Sequence, residues 1–362
     1  DIIPAGQRGT ASGVMGLAYM LGTIVGSLVG VIFHFNSQQL LAGTQSFADY
    51  WANIVQAYGL VAAVCLIMAL ITVFAVREIP WRPEQRTPTA NAQPGSRLDA
   101  RFWRDLGLTL VATVVIVGGA LALLRVGLFG LRLDTNALSV VELAAIAVGG
   151  VGAAYAFGFR PARNPDFSWV VLTRMLVMMG VYIVQNFLLY YMQDVAHAPS
   201  PQGATTIFLL LLTLTATIST FFAGYTSDRI GRKRMVYISG GFMTVVGLAF
   251  ILAPYLIPTG VLTIAYIAAA IFGVGFGAYV AVDWALVADT LPSDATYARD
   301  MGVWNIALTL PQVFAVVFGG WLLTLGVLLG QRTLGYTLLF VWFVVFCALG
   351  TVTVRYIRGI KN

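Results

Sequence analysis

This sequence is short of charge. Only 10% of its 362 residues are charged, against about 25% in soluble domains, and the mean hydropathy is +0.85. A soluble globule is excluded. Cysteine is scarce too: Cys65 and Cys347 both lie inside apolar runs, so no structural disulfide is expected and both read as small buried hydrophobes. The two histidines, His34 and His197, are far apart. A membrane enzyme acting on lipid needs a nucleophile with its base, clustered His with acids, or metal ligands, and little material for these is present. No Gly-rich loop ends in Lys-Ser or Lys-Thr, so ATP-driven pumping has no support. No cofactor and no metal is expected.

Long apolar runs are what the chain has instead. Runs of about 20 residues recur along its length, each sufficient to cross a hydrocarbon core, and the strict alternation of an outer-membrane barrel is missing. The fold class is therefore all-α, a polytopic membrane helix bundle. Ten spans are expected, at 11–33, 54–76, 105–126, 139–159, 168–192, 203–225, 234–257, 261–289, 299–326 and 333–356. Threading the chain through these spans puts seventeen of its 21 cations on one side. Among the rest, Arg125, Arg132 and Arg332 fall on the other side, and Arg174 lies inside a span. Short loops rich in Lys and Arg stay cytoplasmic, so the C-terminus is expected in the cytoplasm, with the chain multi-pass in a cell (inner or plasma) membrane. The net charge of +6 is a topological signal, and no nucleic-acid partner is expected.

Between two apolar runs lies Gly224-Tyr-Thr-Ser-Asp228-Arg229-Ile-Gly231-Arg232-Lys233-Arg234. Gly224 lets one helix end approach its neighbour, Gly231 supports a sharp reversal, and Asp228 can cap a helix N-terminus or hold a cation. The order Gly-x-x-x-Asp-Arg-x-Gly-Arg-Lys resembles the signature loop of the major facilitator superfamily, the large group of secondary transporters. That resemblance implies a gating role for Gly224, Asp228, Arg229, Gly231, Arg232 and Lys233. In the family the equivalent acid engages the N-terminus of a helix in the opposite half when the cytoplasmic side is shut. Here that helix begins near Gln7-Arg8-Gly9-Thr10, whose free N–H groups favour an anion.

An internal repeat points the same way. The chain opens Asp1-Ile-Ile-Pro4, then Arg8, then Gly13-Val14; later it reads Asp289-Thr-Leu-Pro292, then Arg299, then Gly302-Val303. Counting on from the two glycines puts Gly22 opposite Pro311. Such repeats resemble the pseudo-symmetric halves of a facilitator. The resemblance implies that residues 1–76 are the last two helices of an N-terminal half and 77–104 a Pro- and Arg-rich cytoplasmic linker. Residues 105–159 are then an inserted two-helix hairpin, and 160–362 a six-helix C-terminal half. The absence of Met at the start fits a fragment of a longer transporter.

Charged groups inside hydrocarbon are costly and mark function. Arg174 lies six residues into its span and Asp283 six before the exit at Asp289. At about 1.5 Å per residue both sit about 9 Å deep. They are expected to face each other, as a coupling acid with its cationic partner or as a static salt bridge. Tyr182, Asn186 and Tyr190 share a helix face with Gln185 beside them. Asn305 and Gln312 share a face of a later helix. Amides and aromatics suit a sugar-like solute, but they also serve interhelical hydrogen bonds. Gly13, Gly22, Gly26 and Gly30 resemble a motif of proton-coupled drug antiporters, with Ser27 and Val31 departing from it. Two functions stay open: uptake of a small, sugar-like solute by alternating access, and efflux of a drug or lipophile. The partners are a solute, a proton or Na+ as coupling ion, and the bilayer, with the protein a monomer. The lipid enzyme is the alternative of another class.

Overall fold

The computed structural model describes residues 7–32, 46–75, 100–125, 135–291 and 297–358. Ten long helices occupy them: α1 (Arg8–Ile32), α2 (Phe47–Ala75), α3 (Ala100–Arg125), α4 (Thr135–Ala156), α5 (Pro165–Asp194), α6 (Pro201–Ile230), α7 (Arg232–Leu256), α8 (Val261–Thr290), α9 (Tyr297–Leu328) and α10 (Arg332–Thr353). Nine are long and apolar enough over their described residues to cross a membrane. Opening signals are local. Ser46 begins α2, its hydroxyl accepting from the Asp49 amide at 3.1 Å. Pro165 and Pro201 open α5 and α6, where a missing N–H is harmless, and the Ser200 side chain caps α6. Pro254 and Pro311 sit inside α7 and α9, which run on through them.

Two compact units result: residues 1–18 with 93–362, and residues 19–92. In the smaller, α2 is exposed along nearly its whole length, Ala57 being buried. An apolar helix with no wet face belongs in lipid or against other helices. The thiol of Cys65 is exposed there, which corrects the expectation that both cysteines are buried; Cys347 is. His34 and the linker 77–99 lie outside the described residues, as do Asp1–Pro4 and Pro292 of the repeat.

In the larger unit α5 to α10 form a bundle. The central helix α8 packs on α6, α7 and α5, while α10 joins α5 to α7, and α9 packs on α5 and α10. Its core is aromatic. Tyr191, Phe250 and Phe340 meet with centroids 4.5–5.1 Å apart, and Phe272 and Phe343 continue the stack. The hairpin α3–α4 packs on itself, and α4 lies on α9.

Cross-links fix which helix ends lie together. At one end the Arg358 amide donates to Asp166 (2.8 Å) and Trp169 stacks on Tyr356. At the other, Tyr336 donates to Asp194 (2.7 Å). α5 and α10 are therefore antiparallel, and the short connections from α5 to α8 reverse the chain at each turn. The helix bounds differ from the sequence expectation mainly at α2, which starts seven residues early because Ser46 and Asp49 cap a polar first turn, and at α6. The stretch Gly224–Ile230 is the last part of α6 rather than a loop. The reversal is confined to Gly231, at φ +94°, a conformation that glycine adopts without a Cβ clash.

Candidate functional site

Where α6 ends, α1 crosses it. A Cβ on Gly224 would lie 2.8 Å from Gly13 Cα and from Gly9 O, so the approach needs glycine on both helices. This crossing sets Asp228 under the first turn of α1. Its carboxylate accepts from the amides of Gly9 (2.9 Å) and Thr10 (2.9 Å) and from the Thr10 hydroxyl (2.8 Å). Those amides are orphan donors at the positive end of the helix dipole. Arg232, buried, stands 3.8 Å from Asp228 and 2.8 Å from Asp289. Arg8 extends the chain of charges, 3.0 Å from Asp289 and donating to Ala288 O at 3.3 Å. Two arginines and two aspartates thus tie α1, α6, α7 and α8 together, with their charges balanced. Arg229 lies over the ring of Tyr225 on its own helix, and Lys233 is partly exposed at the reversal; neither joins this chain of charges among the described residues. Arg8 and Asp289 were visible in the sequence only as repeat landmarks, since nothing local announces a partner some 280 residues away.

Deeper in, Arg174 on α5 and Asp283 on α8 form an ion pair, each about 4% exposed. Two further groups complete the cluster. Tyr279, one turn before Asp283, donates to it at 3.1 Å, and Trp304 on α9 places its ring 3.4 Å from the Arg174 guanidinium carbon. Trp284 packs edge-on against Trp304 at 4.2 Å. Among the described residues the pair is buried within the bundle. Tyr279 was readable from its i−4 spacing. Trp304 carried no sequence signal.

The polar face lies elsewhere on α5. Tyr182 accepts from the Gln312 amide at 2.8 Å, so the two faces read separately in the sequence meet here. Gln185, Asn186 and Tyr190 are exposed on the same side of α5. Asn305 is exposed as well, its amide donating to Met301 O on its own helix at 3.0 Å. The structure does not bring this face together with Arg174 and Asp283. It presents amides and phenols on α5 and α9. Among the described residues no group of three or more His, Cys, Asp or Glu is placed to hold a metal ion.

The sequence profile of the Major Facilitator Superfamily matches residues 170–360. Among solved structures, a bacterial homologue of the iron transporter ferroportin in an outward-facing state is similar at 15% identity. The match covers 97% of this chain and 85% of that one, with a TM-score of 0.43. No curated protein matches the chain.

Proposed function

This chain belongs to the major facilitator superfamily of secondary transporters, and on that premise we propose that it moves a small solute by alternating access. The observation that carries the reading is the clamp at the end of α6. Three donors from one helix start converge on Asp228, and a chain of four charges joins the same end. Such a contact holds when that end is shut and must break when it opens, as one half rocks against the other. In this scheme residues 160–362 form one half, 1–76 contribute to the other, and 105–159 are an inserted hairpin. The clamped end, with most of the cations, faces the cytoplasm, and the C-terminus lies on that side.

The proposed solute contacts are Tyr182, Gln185, Asn186, Tyr190, Asn305 and Gln312. These suit a hydroxylated solute, with hydrogen bonds at its edge and aromatic contact on its face. Asp283 is the proposed coupling carboxylate, paired with Arg174. Its burial means that a proton reaches it through a local rearrangement, with Tyr279 the phenol bonded to it. The test is proton-driven counterflow in vesicles carrying the full-length protein. A sugar-like solute that exchanges faster under a proton gradient supports the reading. Exchange of lipophilic drugs alone would replace it with efflux.

A further inference from the structure

A large crevice lies away from the polar face, between α4, the turn that follows it, α5 and α9. It has a volume of about 690 Å³ and is walled by Val151, Tyr155, Trp169, Met175, Ile306 and Leu310 among others. Its lining is almost wholly apolar. The Ser168 hydroxyl, which could reach it, is already donating to Asn164 O at 2.8 Å. Water has little to bond to there, and the walls are membrane-spanning helices, so hydrocarbon is the natural filling.

The mouth of the crevice is cationic. In the turn between α4 and α5, Arg160 lies 3.8 Å over the Tyr155 ring and is held by Tyr155 O and Phe159 O. Arg163 is exposed three residues on. Arg299, at the start of α9, comes up against Gly158, where an added Cβ would lie 3.0 Å from its guanidinium carbon. Among the described residues none of the three is paired with a carboxylate. Aromatic residues flank the mouth. Trp169 stacks on Tyr356 with centroids 4.6 Å apart, the amphipathic aromatic pairing expected at head-group depth.

We propose that this crevice is a binding site for an anionic phospholipid of the leaflet at the clamped end. Its acyl chain lies between α4, α5 and α9, and its phosphate rests on Arg160 and Arg163, within reach of Arg299. Cations at a membrane surface favour anionic lipid, and an apolar slot beside them selects a membrane lipid over a free anion. The lipid fills the seam between the α3–α4 hairpin and the bundle.

The test is native mass spectrometry of the full-length protein in detergent, titrated with phosphatidylglycerol, phosphatidylcholine or glycerol phosphate. Phosphatidylglycerol is expected to bind at least about fivefold more tightly than phosphatidylcholine, the effect of one surface cation, with glycerol phosphate not retained. Arg160→Gln/Arg163→Gln should lower phosphatidylglycerol to the phosphatidylcholine level. Ala154→Phe, which narrows the slot, should weaken both lipids. Lipid-free thermal midpoints equal to wild type show that the variants are folded, and Arg163→Gln alone, at an exposed position, gives an intermediate loss if the double variant is not. Equal affinity of wild type for the two phospholipids, or phosphatidylglycerol binding unmoved by the arginine variants or by Ala154→Phe, would overturn the proposal.

Discussion

Asp228 and Arg174 are both charged residues on long apolar helices, yet their surroundings give them different tasks. Asp228 sits at a helix end with three donors from another helix, a contact that can open without exposing a core. A charge-assisted hydrogen bond contributes roughly 1.5–3 kcal/mol. Asp228→Asn should therefore slow solute exchange by about tenfold, while membrane levels and thermal midpoint stay near wild type; vesicle uptake with a quantified protein band checks this. Arg174 is different, because its loss strands a buried carboxylate. Arg174→Met or Asp283→Leu alone should lose about 3–5 kcal/mol, seen as early unfolding in detergent, and the double variant should recover most of it. If Asp283 couples a proton, the recovered double variant still fails to accumulate solute under a proton gradient. Wild-type accumulation by that variant would leave the pair a packing role only. The sequence showed these two residues plainly, since charge at equal depth in two apolar runs is a rare pattern. It hid Trp304 and the link from Arg8 to Asp289, because a ring stacked on a guanidinium and an ion pair between distant segments leave no local period.

Among the elements, the crossing of α1 and α6 matters most. Gly13 and Gly224 let two backbones touch, and the touch aims the start of α1 at Asp228. Gly224→Val should push α1 away and release the clamp, abolishing transport and lowering the thermal midpoint. Gly241→Val, on α7 where nothing lies within 4 Å, should be tolerated; equal behaviour of the two variants would show that the crossing is unimportant. The glycine spacing of α1 was legible, but its use is uneven. Gly13 is drawn into the crossing, whereas Gly22 and Gly26 meet no described atom within 4 Å. The signature stretch was read as a loop because Gly and four cations break the hydropathy. Backbone hydrogen bonds nonetheless carry α6 to Ile230, and one glycine makes the turn.

For the whole molecule, alternation of helix direction places Arg163, Arg234 and Arg358 at one end and Gln202 and Gln331 at the other. With native cysteines replaced, a membrane-impermeant thiol reagent should label cysteines at the first three positions only from the cytoplasmic side, and at the last two only from outside. Mixed labelling within either set would break the topology. Hydropathy made the run of spans visible in the sequence, because the bilayer imposes their length; the orientation rests on cation placement and awaits this labelling. The assembly of the polar face was less visible, since Tyr182 and Gln312 meet only through the packing of α5 on α9. The central claim is that the clamp opens and closes as solute moves. It is tested most directly by the distance between spin labels at Val14 and Phe222, exposed positions flanking the crossing, in the protein with its native cysteines replaced. Two populations are predicted, the longer one growing with solute under a gradient and dominating in Asp228→Asn. A single distance, unmoved by solute, gradient or that substitution, would contradict the account.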